Sequence, residues 1–314
     1  MSNKKQIYLA PLQGYTNVFY RKALNEVYSG VAKYFTPFFE EGKGCFSDPE
    51  LNPELDMNLN AGCYLVPQIA TNNIRFLIAF SKKIKELGYE ELNLNMGCPF
   101  PMLVKRSKGG GMLSDTHLVE QLLAEFFQQD IGLRLSVKMR SGLTEVNQGL
   151  RMLGVLNQFP LHEIIVHPRL VIQKYNGHPN WDDFEMMLKA TSIPMVANGD
   201  IVCRNDVEVI QKNFLEVKSI MIGRGILSNP GSILLEKEEN TVERFLQFHK
   251  LYYDLVQSNT LNWNQAFNYL SDFWFYPLTN TTEGKRYFRK LKKHNHLDLY
   301  QDWLYGVKDH IHLK

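Results

Sequence analysis

The sequence predicts an α/β fold, a (β/α)8 TIM barrel followed by a small all-α domain. Short runs of β-branched and aliphatic residues alternate with longer helix-compatible stretches over roughly the first 240 residues, and such alternation predicts a parallel sheet. Eight strand candidates fit that length, which is typical of a barrel. Beyond it, aromatic-rich segments of helical period follow. We therefore expect a catalytic barrel over 1–240 and a helical domain over 241–314.

The strand candidates are 7–10, 32–38, 64–69, 91–95, 134–139, 163–167, 194–198 and 218–222. The main helix candidates are 73–87, 116–129, 145–157, 182–190, 204–213, 242–256, 263–275 and 284–293. The acidic run 236–240 is interpreted as a linker or a helix start. A doubly wound open sheet is the alternative, but it would not explain why polar residues follow nearly every strand.

Composition narrows the class of protein. The chain has 314 residues, 44% hydrophobic and 22% charged, as in ordinary globular proteins. It has no apolar run of about 18 residues and no signal-peptide core, so we expect neither a membrane span nor secretion. The four cysteines, Cys45, Cys63, Cys98 and Cys203, lack metal-ligand spacing. We expect a cytoplasmic monomer with free thiols and no metal.

Cys98 stands out among these thiols. It follows the strand candidate 91–95 in the run 93–99, where Gly97 and Pro99 are turn residues that end the strand. The thiol is therefore expected on a loop at the carboxyl end of a barrel strand, which is where barrel enzymes carry their chemistry.

Other polar residues occupy equivalent positions after the remaining strands. Each alone has an ordinary structural interpretation, such as a solvated lysine, a hydrogen-bonded histidine or a tight turn. Together they would meet in one mouth, and this joint placement predicts a site. The set comprises Pro11, Leu12, Gln13, Gln68, Asn95, Lys138, Arg140, His167, Arg169, Asn198, Gly199, Asp200, Gly223 and Arg224.

The chemistry of this set fits a flavin. Gly199 and Gly223 would let backbone N–H groups approach a phosphate, and Arg224 would add a charged contact. Lys138 suits the electron-rich N1/O2 edge of the ring, and Gln68 suits its pyrimidine edge. Backbone from 11–13 would press against the ring.

These residues resemble the tRNA-dihydrouridine synthases, the bacterial FMN-dependent family. The motif that carries the resemblance most specifically is Asn95-x-Gly97-Cys98-Pro99, followed by Gly109-Gly110-Gly111-Met112-Leu113. The supporting motifs are Ala10-Pro11-Leu12-x-Gly14, Ser136-Val137-Lys138-x-Arg140, Val166-His167-x-Arg169, Ala197-Asn198-Gly199-Asp200 and Met221-Ile222-Gly223-Arg224-Gly225.

The resemblance implies reduction of a uridine in the tRNA D-arm to 5,6-dihydrouridine, with bound FMN and with NADPH as reductant. Hydride would pass from flavin N5 to uridine C6, and Cys98 would give a proton to C5 as a general acid. The strand-end residues would hold FMN, with Asn95, Arg140 and Arg169 on the tRNA side. The loop cations Lys105 and Arg106 would add RNA contacts.

The sequence departs from the family pattern at three places. The family usually has Thr-Asp at 16–17, where this chain has Thr16-Asn17, and His-Gly-Arg-Thr at 167–170, where Pro168 and Leu170 differ. The segment 100–103 is more apolar than usual. The sequence does not specify which uridine is modified, or whether NADPH is preferred to NADH.

The last 74 residues are mildly basic, with ten Lys or Arg against seven Asp or Glu. On a helix, Arg286, Arg289, Lys290 and Lys293 share one face, which predicts phosphate contacts. The ordinary alternative is a solvated basic helix.

Three other functions remain open at this point. The first is an FMN barrel reducing a small molecule such as a free pyrimidine or an enone, which would not need a basic tail. The second is a non-redox barrel binding a phosphorylated metabolite, such as an aldolase, which would not explain Cys98 with Lys138. The third is a catalytically inactive RNA-binding module, which the intact Cys98 argues against.

Overall fold

The computed structural model describes residues 5–42, 52–235, 241–293 and 296–311. Cys45 and the acidic run 236–240 lie outside the described residues. Within those ranges, no helix is long and apolar enough to cross a membrane.

One closed parallel sheet forms the centre of the molecule. Its segments are β1 (Gln6–Leu9), β2 (Val31–Phe35), β3 (Leu65–Val66), β4 (Gln68–Ile69), β5 (Glu91–Met96), β6 (Arg134–Gly142), β7 (Ile164–Leu170), β8 (Met195–Asn198) and β9 (Ser219–Ile222). They pair in the order β3-β2-β1-β9-β8-β7-β6-β5-β4. β3 and β4 are the two halves of one barrel strand, interrupted at Pro67, which has no N–H for the ladder. The eight predicted strands and the barrel are therefore confirmed.

Helices surround the sheet and continue beyond it. They are α1 (Val18–Tyr28), α2 (Ile74–Glu86), α3 (Pro101–Lys105), α4 (Thr116–Gln128), α5 (Val146–Leu156), α6 (Trp181–Lys189), α7 (Arg204–Asn213), α8 (Arg224–Ser228), α9 (Gly231–Leu234), α10 (Thr241–Asn259), α11 (Trp263–Phe273), α12 (Phe275–Thr279), α13 (Thr282–Leu291) and α14 (Leu297–Gly306). All eight helix candidates correspond to helices. The segment after Cys98, expected as a loop, contains α3 and a 3-10 helix, Gly109–Ser114.

The barrel interior is built in layers because side chains alternate across each strand. A middle layer of apolar side chains forms its own cluster, separate from the core beneath the outer helices. Below it, Lys33 Nζ lies 2.8 Å from Glu91 and 3.0 Å from Glu163. The layer above opens at the carboxyl ends of the strands, and the expected site residues belong to it. The apolar cluster comprises Tyr8, Ala10, Phe35, Val66, Ile165, Val196 and Met221.

The helices that follow the barrel pack against it through α1 and α10. The rings of Tyr20 and Phe248 lie 5.1 Å apart, edge to face. Asn17 caps α1 by accepting from the Tyr20 N–H, and its Nδ2 donates to the Tyr252 hydroxyl at 3.1 Å. That hydroxyl in turn donates to the Tyr269 carbonyl. A carboxylate at 17 has no hydrogen to donate, so this contact gives asparagine a structural role at one position that departs from the family pattern.

Candidate active site

A cleft of about 820 Å³ opens at the carboxyl ends of the strands. Its wall also includes Tyr276, Thr279 and Asn280 from the helical tail, none of which the sequence analysis singled out. Most of the residues expected to hold a cofactor are together in this wall, namely Pro11, Leu12, Lys138, His167, Asn198, Gly199, Asp200, Gly223 and Arg224. Gln13 lines a neighbouring pocket, and Gln68 is buried beneath the site.

Two glycines bring backbone to the cleft surface. Gly199 has a φ of +150°, and a Cβ there would lie 3.1 Å from Pro179 and 3.3 Å from His167. A Cβ on Gly223 would lie 2.8 Å from Leu12. The backbone conformation of Gly199 favours glycine, whereas a side chain at 223 would require only that Leu12 move, and in this structure the main chain at both positions faces the cleft.

Lys138 brings an uncompensated charge into the cleft. Burial, and then the neighbouring Arg140, lower its pKa to about 8. Among the described residues, no carboxylate forms an ion pair with its ammonium. Burial also lowers the pKa of Arg140, to about 10. With Arg169 and Arg224 nearby and one carboxylate, Asp200, the site is suited to an anionic ligand.

Arg169 has a different role from the expected RNA contact. Its side chain is 1% exposed, and its Nε and Nη2 donate to the Asn176 and Gly177 carbonyls. Its remaining hydrogens go to both Asp200 oxygens and to His167 Nε2. All five guanidinium hydrogens are thus used inside the protein. Arg169 fixes the loop after β7, and the structure does not place it in the mouth.

The same contact determines the state of His167. An arginine can only donate, so Nε2 must accept at 3.0 Å and the ring proton sits on Nδ1. Burial, and then four nearby cations, hold the pKa of His167 well below its usual range. His167 is therefore neutral, with an N–H donor on the other side of the ring.

Asp200 joins the two neighbouring loops. It binds Arg169, and it also accepts from Arg224 Nη2. Burial acts to raise the pKa of Asp200, but the hydrogen bonds and charges of the two arginines outweigh it and hold the pKa below its usual value. Asp200 thus orients Arg169 and Arg224. As a single carboxylate it leaves the cleft with an excess of positive charge.

A relay of amides crosses the top of the barrel. Asn95 Oδ1 accepts from the Gly97 and Cys98 N–H groups, and its Nδ2 donates to Gln68 Oε1 at 2.8 Å. Gln68 Nε2 donates to Asn93 Oδ1 at 2.7 Å. Asn93 Nδ2 then donates to the Ser136 hydroxyl, at 2.9 Å.

This relay has only one consistent direction, because the two backbone groups at its start can only donate. It fixes the amide orientation of Gln68 and ties it to the turn that carries Cys98. Asn93 and Ser136 were missed as site residues. The period of two places them on the same faces as Asn95 and Lys138, and that was the available signal.

Cys98 lies half-buried on this turn. Burial raises the pKa of its thiol, although the Phe100 N–H, Lys138 and Arg140 act in the opposite direction. The thiol is therefore protonated at neutral pH. The glycine segment packs against it, since a Cβ on Gly109 would lie 3.1 Å from the Cys98 carbonyl oxygen. The glycines fix the position of the thiol by allowing this close approach.

Tyr175 separates the cleft from the neighbouring pocket and lines both. The guanidinium carbons of Arg140 and Arg224 lie 5.5 and 5.0 Å from its ring centroid. Arg140 is 2% exposed and donates to the Leu170 carbonyl. The sequence analysis did not identify Tyr175, which carries no motif signal.

The remaining basic residues lie outside the cleft. Lys105 and Arg106 are exposed at the end of α3, where Arg106 lies 3.6 Å from Glu40. On α13, Gly284, Phe288 and Leu291 are buried. The four expected cations, Arg286, Arg289, Lys290 and Lys293, are all exposed.

The chain is similar to known proteins over most of its length. The model of the dihydrouridine synthase (Dus) family matches residues 8–267. The chain is 25% identical to tRNA-dihydrouridine synthase B of Pasteurella multocida over 246 residues, covering 76% of this chain and 73% of the relative. It is 26% identical to the probable tRNA-dihydrouridine synthase 2 of Bacillus subtilis over 253 residues, 79% and 77% of the two chains.

Solved structures show the same barrel at low sequence identity. An old yellow enzyme homologue from Zymomonas mobilis has a TM-score of 0.52 and 13% identity, over 77% of this chain and 88% of that one. Histamine dehydrogenase from Rhizobium sp. 4-9 has a TM-score of 0.55 and 12% identity, over 72% and 44%. At these identities the likeness concerns the fold alone.

Proposed function

The chain belongs to the dihydrouridine synthase family, and we propose that it reduces a uridine in the D-arm of tRNA to 5,6-dihydrouridine, using bound FMN and NADPH. The resemblance found in the sequence is thereby confirmed at the level of the family. One observation carries the proposal further, namely a protonated thiol, Cys98, held on a turn beside a cleft with excess positive charge, within the electrostatic reach of Lys138 in the cleft wall.

The residues of the cleft fit FMN. The close-packed backbone at Gly199 and Gly223, with Arg224, would hold the phosphate. Lys138, which lacks a carboxylate partner among the described residues, would face the N1/O2 edge of the ring. Gln68 is proposed for the pyrimidine edge, which it would reach from beneath the cleft, where its amide bonds to Asn93 and Asn95. The remaining ring contacts would come from Pro11, Leu12, Gln13, His167, Asn198 and Asp200.

When bound, reduced FMN supplies the hydride that adds to C6 of the uracil ring. Cys98 then acts as the general acid, and its Sγ proton goes to C5 as charge develops on C5 and O4. The raised pKa of the thiol keeps this proton in place until that charge appears. Asn95 holds the turn that carries the thiol, and Arg140, whose charge acts on the thiol, would contact the uracil edge.

The target base must leave its stack to reach Cys98, which costs a few kcal/mol and requires the RNA to be anchored elsewhere. We propose that the exposed cations Arg286, Arg289 and Lys290 of α13, with Lys293 just beyond its end, provide this anchor, and that Lys105 and Arg106 contact RNA nearer the mouth. The division into a catalytic domain over 1–240 and a tRNA-binding domain over 241–314 belongs to the same proposal, although tail residues also line the cleft.

The proposed function is tested with purified protein, tRNA transcript and NADPH. We expect a yellow protein that absorbs at about 450 nm, as bound flavins do. It should convert one D-arm uridine to dihydrouridine. Mass spectrometry of the digested tRNA locates that uridine. A colourless protein that does not bind FMN, or unchanged uridines with FMN bound, would contradict the proposal.

Reversing the charge of Arg286, Arg289, Lys290 and Lys293 should weaken tRNA binding without changing FMN affinity. Each lost phosphate contact removes about 0.7–0.9 from the slope of log affinity against log salt, so the slope should fall by roughly 3. Reversal of Arg75, Lys82, Lys212 and Lys218, which are exposed on other parts of the barrel, is the matched control and should change tRNA binding less. If both sets of reversals weakened tRNA binding equally, the four cations of the tail would be an ordinary solvated face.

A further inference from the structure

A second pocket, of about 640 Å³, also has Cys98 in its wall. Neither of the cleft cations Lys138 and Arg224 lines it, nor does His167, and its surface is mainly apolar. Pockets of this size enclose whole ligands, so it has more room than the ring of the target uracil needs. Its apolar side chains are Phe38, Pro99, Phe100, Pro101, Met102 and Leu103.

Phe100 forms the exposed rim of this pocket. Its side chain is 51% exposed, and that of Met102 is 52% exposed. Pro99 and Pro101 flank it, and Pro101 confines Phe100 to extended backbone, at φ −63° and ψ 124°. Leu103, which is 2% exposed, anchors α3 beneath. The aromatic ring is therefore held out toward solvent on a stiff backbone, which lowers the entropic cost of stacking on it.

Three exposed cations surround this apolar rim, and one carboxylate, Glu40, also lines the pocket, 3.6 Å from Arg106. Lys105 and Arg106 are exposed at the end of α3, and the exposed Lys174 lines the pocket from the loop after β7. Aromatic side chains combined with nearby cations are the chemistry that binds unstacked RNA, because bases stack on rings while phosphates meet the charges. A purely apolar partner would not match these cations.

We propose that this pocket binds the nucleobase adjacent to the target uridine in the RNA chain. That base stacks on Phe100 and contacts Met102, while Lys105 and Lys174 meet its phosphates. The proposal rests on the proposed function, since it takes RNA as the substrate. It gives the apolar segment 100–103, which departs from the family pattern, a role in choosing the sequence context of the reduced uridine.

The test is a D-arm hairpin carrying 2-aminopurine, whose fluorescence is quenched by stacking, directly beside the target uridine. We expect the wild-type FMN-loaded protein to quench it at one of the two neighbouring positions. Phe100→Ala should lose most of the quenching and bind the hairpin about tenfold more weakly, since stacking on one aromatic ring contributes about 1–3 kcal/mol. Phe100→Trp should retain both the quenching and the wild-type affinity for the hairpin.

Leu215→Ala is the control, since Leu215 is 78% exposed and follows α7, away from both pockets. Hairpin binding without quenching, or quenching unaffected by Phe100→Ala, would overturn the inference. So would a Phe100→Ala protein that is reduced slowly by NADPH but quenches normally, because the pocket would then serve the nicotinamide. Quenching without uridine reduction would overturn only the proposed function, whereas a hairpin neither bound nor reduced would overturn both.

Discussion

Replacing Cys98 with alanine should lower the rate of uridine reduction by about 100-fold or more, the size of a typical general-acid contribution. The fold and FMN binding should remain, because the backbone N–H of residue 98 still donates to Asn95 Oδ1 when only the contact of the thiol with the Phe100 N–H is lost. Oxidation of NADPH by oxygen should continue at the wild-type rate, since that reaction needs no proton at C5. Single-turnover oxidation of the reduced flavin by tRNA is the measurement.

The matched control for this variant is Cys63→Ala. Cys63 is also a half-buried thiol with a raised pKa, but it contacts the Arg21 carbonyl and lies in neither pocket. Its replacement should leave turnover unchanged. Full tRNA turnover by Cys98→Ala would remove the thiol from the mechanism, and an equal loss in both variants would indicate a general effect on folding.

The position of Cys98 was predictable because local signals define it. A short apolar stretch followed by Gly97 and Pro99 marks a strand end, and the barrel topology brings all such ends to one mouth. The same reasoning located Lys138 and His167. It did not detect α1, whose buried residues include Phe19, Tyr20 and Arg21 and which therefore lacks a clean amphipathic pattern.

What the sequence did not show is how donors and acceptors are shared within the site. Arg169 is at a strand end, but only the fold reveals that the carbonyls of Asn176 and Gly177 use its hydrogens. Asn93 was treated as part of a strand, although its partners lie 25 and 43 positions away in the chain, at Gln68 and Ser136. Such long-range pairings leave no local pattern in a single sequence.

Lys138→Met should produce opposite changes in stability and cofactor affinity. The pKa of Lys138 is about 8 in the folded protein against 10.5 for an ordinary lysine, chiefly because of burial. Between pH 8 and pH 10.5 the unfolded chain binds a proton that the folded protein does not, so the stability of the folded protein rises with pH in this range. Below pH 8 the folded protein holds the proton on Lys138, so its stability is lowered by the full cost of burying that charge. The apo variant should therefore be more stable than wild type at pH 7, by about 1–3 kcal/mol after allowance for partial solvent access.

FMN affinity should change in the other direction. Loss of a charge-assisted contact should weaken binding at pH 7 by more than about tenfold. In the wild type, affinity should fall as pH rises through 8 and Lys138 loses its proton, whereas the variant should show no such step. Denaturant unfolding of apo protein and fluorescence titration with FMN, each from pH 6 to 10, measure the two effects.

The exposed Lys82→Met is the matched control and should show neither the stability gain nor the altered pH profile. A less stable Lys138→Met apo protein would mean that the ammonium is already neutralised inside the fold. Unchanged FMN affinity would mean that Lys138 does not face the cofactor. The expected combination, a more stable fold that binds FMN poorly, would identify Lys138 as a charge kept in the barrel for function at the expense of stability.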